Sequence, residues 1–116
     1  MFFPSVGSIM KAYLFFLTED FMKVKIEIVR AIDESYPVFV EARLTDCNGN
    51  AHYFHDKLPV FTIDESKSIP CDGIIRCEMI TKNADTVLID TLTPDDIESL
   101  NGVSRFEICK DQIVYE

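Results

Sequence analysis

Residues 46 to 56, "DCNGNAHYFHD", hold the side chains best suited to chemistry: Asp46, Cys47, His52, His55 and Asp56. His52 and His55 are the only histidines in the 116-residue chain. Imidazoles, a thiolate and carboxylates are zinc ligands, and a Cys beside a His base is the pair used in covalent catalysis. The spacing argues against both. Asn48-Gly49 is a strong hairpin signal, because a type I′ turn needs positive φ at both central residues. It makes "AHYFHDK" the returning strand. On a strand, residues three apart point to opposite faces, so His52 and His55 cannot clasp one ion without a bulge. Cys47, across the turn, can approach one of them. His55 and Asp56 are strand neighbours that face apart, so they form no acid–base dyad.

Other chemistry is equally weakly signalled. Cys47, Cys71, Cys77 and Cys109 make no C-x-x-C pair, and only Arg76 and Lys110 adjoin any of them with a positive charge. They read as reduced thiols, several of them core fillers. The chain contains no phosphate-cradling glycine loop, G-x-S-x-G, H-E-x-x-H or graded calcium loop. The expectation is a non-enzymatic protein with no cofactor and no metal. Its paired carboxylates, Asp33-Glu34, Asp64-Glu65 and Asp95-Asp96, fall in turn-like segments and hint at one strongly negative rim.

The elements that must position these groups read as strands. At 47% hydrophobic residues, rich in Phe, Tyr, Ile and Val, the chain can build a core without staples and leans toward β structure. "KVKIEI" and "VFVEARLTD" alternate, with Val24, Ile26, Ile28, Val38, Val40, Ala42 and Leu44 facing inward. "AIDESYP" separates them as a turn. Leu58-Pro59 ends the strand after Asn48-Gly49 or moves it to an edge. "IDESKSIPCDG" reads as a long polar loop, and "IIRCEMIT" and "TVLIDTL" flank "KNAD" as a second hairpin.

"TPDDIESLNG" fits a short helix capped by Thr93, or a strand "IESL" turning at Asn101-Gly102 into "VSRFEI". The second Asn-Gly favours the hairpin. Six to eight short antiparallel strands then make an all-β domain over residues 22–116, a partly closed barrel or sandwich of OB-like or SH3-like form.

Residues 1–21 differ in composition. Their longest clean apolar run, "AYLFFL", is far short of the roughly twenty residues of a membrane span, and no signal-peptide pattern surrounds it. They read as an extension from an upstream start, able to form a short helix, before a start at Met22. A cytoplasmic protein without a membrane partner follows. Net charge of −9 with a pI near 4.6 repels nucleic-acid phosphates, and no Lys/Arg cluster in the sequence offers a local exception. The same charge suits a basic protein partner.

"DESYP" (33–37), "FVEARLTD" (39–46), "GNAHYFHDKLPVF" (49–61) and "GIIRCEMI" (73–80) together resemble a family of small bacterial hypothetical proteins. That family carries a D-[DE]-S-Y-P turn followed by V-E-x-x-L-x-D, G-x-x-H-x-F and K-x-P. The chain departs from it in its 21-residue extension and in having no Trp. The resemblance implies a compact bacterial cytoplasmic domain and supplies no catalytic residues.

The function that fits best is a non-enzymatic, acidic protein-binding module of immunity or inhibitor type. Tyr36 and Phe61, large apolar side chains in or beside loops, are its candidate anchors, ringed by Asp33, Glu34, Asp64 and Glu65. The alternatives are an OB-like nucleic-acid binder stacking bases on Tyr53 and Phe54, or a small metal or thiol enzyme using His52, His55 and the cysteines.

Overall fold

The computed structural model describes residues 21–114, and the possible N-terminal helix lies outside them. The strands are β1 (Met22–Asp33), β2 (Phe39–Thr45), β3 (Ala51–Lys57), β4 (Cys71–Lys82), β5 (Thr86–Asp90), β6 (Arg105–Cys109) and β7 (Ile113–Val114). Single 3-10 turns at Leu58–Val60 and Lys110–Gln112 are the only helical elements among the described residues. Every strand pairing is antiparallel, in the order β3-β2-β1-β4-β5-β6, with β7 returning to the start of β1.

Alternation builds the core. Val24, Ile26 and Ile28 of β1 and Val40, Ala42 and Leu44 of β2 are buried, because period-two apolar residues share one face of a sheet. Phe54, Ile75, Cys77, Val87, Ile89, Phe106 and Ile108 continue that layer through the other strands. The sheet curls into a half-barrel, and bonds outside the ladders draw its ends together. The Leu100 N–H donates to the Tyr53 carbonyl (2.8 Å) and the Cys47 N–H to that of Glu107 (2.8 Å). Phe106 packs against two rings, tilted on His52 and edge-on to Phe54.

Three local expectations change. The turn after β2 is not type I′: Gly49 has φ of +84°, but Asn48 does not enter the positive region. Asp46 accepts the Asn48 and Asn50 N–H groups (2.9 Å each) on its carboxylate and the Gly49 N–H (3.0 Å) on its carbonyl. Those bonds favour a type I turn closed by a left-handed glycine.

Cys71, Asp72 and Gly73 belong to β4, not to the preceding loop, because they pair with Ile28, Glu27 and Ile26. Asn101-Gly102 does reverse the chain, with the Ser99 N–H donating to the Val103 carbonyl (2.8 Å), but "IESL" forms no strand. Buried Thr91 holds that segment instead, its hydroxyl donating to the Ile97 carbonyl (2.7 Å) with the Ser104 carbonyl also within reach (3.2 Å).

Candidate functional site

The β2–β3 register decides what the histidines touch. His55 stands opposite Glu41, and their side chains meet at 2.9 Å, with Arg30 joining Glu41 from β1 (3.2 Å). His52 faces the other side of β3, where its Nε2 meets Asp46 at 2.9 Å and its ring lies on Phe106. The expected opposition of the two imidazoles is therefore present, and each is bound to a carboxylate. An ionised carboxylate only accepts, so Nε2–H is the donor in both pairs. Sequence spacing offered only Cys47 as a neighbour for one of them; the partners are carboxylates, and Glu41, fourteen positions from His55, is brought to it by register.

The electrostatics are those of structural pairs. The hydrogen bond from His55 outweighs partial burial and, with Arg30, holds the Glu41 carboxyl below its ordinary range. Burial works against charge on Asp46, but His52 and the Asn50 and Asn48 N–H groups outweigh it, and that carboxyl is also lowered. Burial pushes the Cys77 thiol up to about 12, which removes it as a nucleophile at neutral pH. Burial, then the negative charge of Glu107, raises the Cys47 thiol too.

Among the described residues no hydroxyl or thiol hydrogen-bonds either imidazole. No three metal-ligating side chains gather there. The outer face of β1–β3 is occupied by its own charges, since Arg43 binds Glu27 just as Arg30 binds Glu41.

The proposed partner-binding residues part company. Tyr36 is 87% exposed at the tip of the loop between β1 and β2. Phe61 is fully buried, a correction to its reading as a surface anchor. The chain leaves the 3-10 turn at Leu58–Val60 with Phe61 directed into the core, and its carbonyl accepts the Ile74 N–H (2.8 Å). Two residues on, Ile63 is fully exposed. Sequence reasoning missed it because its neighbours read as a polar loop.

Asp33, Glu34, Asp64 and Glu65 are all exposed. The two loops are neighbours: Glu34 from one and Glu65, Lys67 and Ile69 from the other line a single shallow cavity. Asp95, from the third acidic pair, is elsewhere, held by two bonds from Arg76 (3.0 and 2.6 Å).

A second correction concerns positive charge. Folding gathers Lys23, Lys57, Lys67 and Arg76, distant in sequence, around one groove. No described helix is long and apolar enough to cross a membrane. No protein-family model matches the chain, and neither the curated proteins nor the solved structures contain a match.

Proposed function

We propose that this protein is a non-enzymatic binding module, of the immunity or inhibitor kind, whose acidic rim engages a basic protein. The observation that carries the reading is the pair of apolar tips on neighbouring loops. Tyr36 and Ile63 project into solvent, flanked by Asp33, Glu34, Asp64 and Glu65. A monomer gains little by leaving large apolar groups there, whereas an interface gains most from a few such anchors enclosed by polar residues.

Two of the rim carboxyls are also held ionised. Asp33 takes hydrogen bonds from the Ser35 backbone and side chain, and Asp64 from the Ser66 side chain and backbone. Both carboxyls therefore lie below their usual range. By contrast, the imidazoles serve the fold as partners of Asp46 and Glu41. A bacterial cytoplasmic setting, which the resemblance implies, fits a small domain of this kind.

The test compares partner capture by the full chain and by three variants. Tyr36→Ala and Ile63→Ser should each lose the partner with melting temperature unchanged. Asp33→Lys with Glu34→Lys should slow association and flatten its salt dependence, because rim charges act mainly on encounter rate. Capture that survives both apolar substitutions overturns the reading. So does His52→Ala or His55→Ala abolishing an activity while the fold is retained.

A further inference from the structure

The groove that collects positive charge lies between the end of β3, the following loop and the first half of β4. Its volume is about 700 Å³. Among the described residues, Lys23, Lys57, Lys67 and Arg76 line it, against Asp72 and Asp95, with Arg76 bound to Asp95. We propose that this groove is a second binding surface, opposite in sign to the acidic rim, that takes a short acidic peptide segment carrying aliphatic side chains. The groove adjoins the rim and shares Ile63 and Lys67 with it, but takes a ligand of the opposite charge.

Its two components are both present in the lining. Pro59, Val60, Ile63 and Ile74 provide an aliphatic wall, and Gly73 keeps the floor low where β4 runs beneath the Phe61 backbone. Lys57, at the end of β3, and Lys67, in the loop before β4, are exposed at its margin on long stems. Such stems cover apolar surface while the ammonium stays at the water boundary, where it meets a carboxylate without full desolvation. Arg76 is held in place by Asp95 and lies 5.9 Å from the Phe21 ring, so it forms a fixed end of the groove.

The lining disfavours a nucleic acid. Among the described lining residues Phe61 is the one aromatic, and it is fully buried, so the lining is an aliphatic wall and not a stacking platform.

The experiment titrates isotope-labelled full chain with two synthetic peptides, one alternating Glu and Leu and the other Gln and Leu, followed by amide chemical shifts. The acidic peptide should shift Lys57, Val60, Ile63, Lys67 and Ile74, and should weaken with added salt. Lys57→Glu with Lys67→Glu, both at exposed positions, should raise its Kd about tenfold while the rest of the spectrum is unchanged. Equal binding of the Gln peptide, or shifts centred elsewhere, overturns the proposal. The same residues responding to a short oligothymidylate with a steeper salt slope makes the groove a nucleic-acid site instead. Shifts there that depend on protein concentration alone make a second copy the occupant.

Discussion

His52 lies on Phe106 with ring centroids 4.7 Å apart and planes inclined at 58°. The contact joins β3 to β6, the two ends of the strand order, across the side of the half-barrel that no ladder closes. Its Nε2–H is held at the same time by Asp46, which organises the β2–β3 turn. His52 is therefore a clasp, and His52→Ala should lower unfolding free energy by about 1–2 kcal/mol. Chemical denaturation of the two proteins measures this directly, and an unchanged midpoint refutes the clasp.

Acid should unfold the protein through its lowered carboxyls. Glu41 is lowered mainly by His55, Asp46 by bonds that outweigh its burial, and Asp90 mainly by the Leu92 N–H, with Arg105 assisting. A carboxyl lowered in the folded state stabilises above its unfolded value, near pH 4, and that stabilisation is lost as pH falls through the folded value. Melting temperature should thus hold down to about pH 5 and decline below it. Asp46→Asn keeps an acceptor for the turn N–H groups but removes the charge, so its decline should be shallower.

Gly73 is required by a close crossing. A Cβ there would stand 2.8 Å from the Phe61 carbonyl oxygen and 2.9 Å from Ile28 Cδ1. The carbonyl is backbone, engaged by the Ile74 N–H, and cannot swing away cheaply. Gly73→Ala should cost about 1–3 kcal/mol as overpacking. Thermal melts would show it, together with altered amide shifts at Phe61 and Ile74.

Gly49 poses a different problem. Nothing lies within 4 Å of a Cβ built there, but its φ of +84° disfavours any L side chain. Gly49→Ala should destabilise by about 1 kcal/mol through backbone strain alone, with the core shifts unchanged. Asn48→Pro should cost more, because it removes the N–H given to Asp46 and places proline at a disfavoured turn position. Hydrogen exchange at Asp46 and Gly49, whose N–H groups close the loop, would report both changes.

Much of the fold was legible in order along the chain. Alternation named Val24, Ile26, Ile28, Val38, Val40, Ala42 and Leu44 as inward; all are buried except Val38, which lies just before β2 and is half-buried against the core. Both Asn-Gly pairs mark chain reversals, and strand parity separated His52 from His55. These are local properties. Side chains alternate with period two, and a left-handed position selects glycine, whatever the rest of the chain does.

Only the tertiary structure decided the pairings on which the surface depends. Register set Glu41 beside His55 and Arg43 beside Glu27, and the curl brought Phe106 under His52. The turn at Leu58–Val60 buried Phe61 and left Ile63 in water, a choice between two apolar residues in one loop that composition does not make. Lys23, Lys57, Lys67 and Arg76 read as scattered charges in an acidic chain until β1, β3, β4 and the intervening loop met around one groove. Register and curvature are satisfied across the whole sheet at once, so their consequences are not written in any single stretch of sequence.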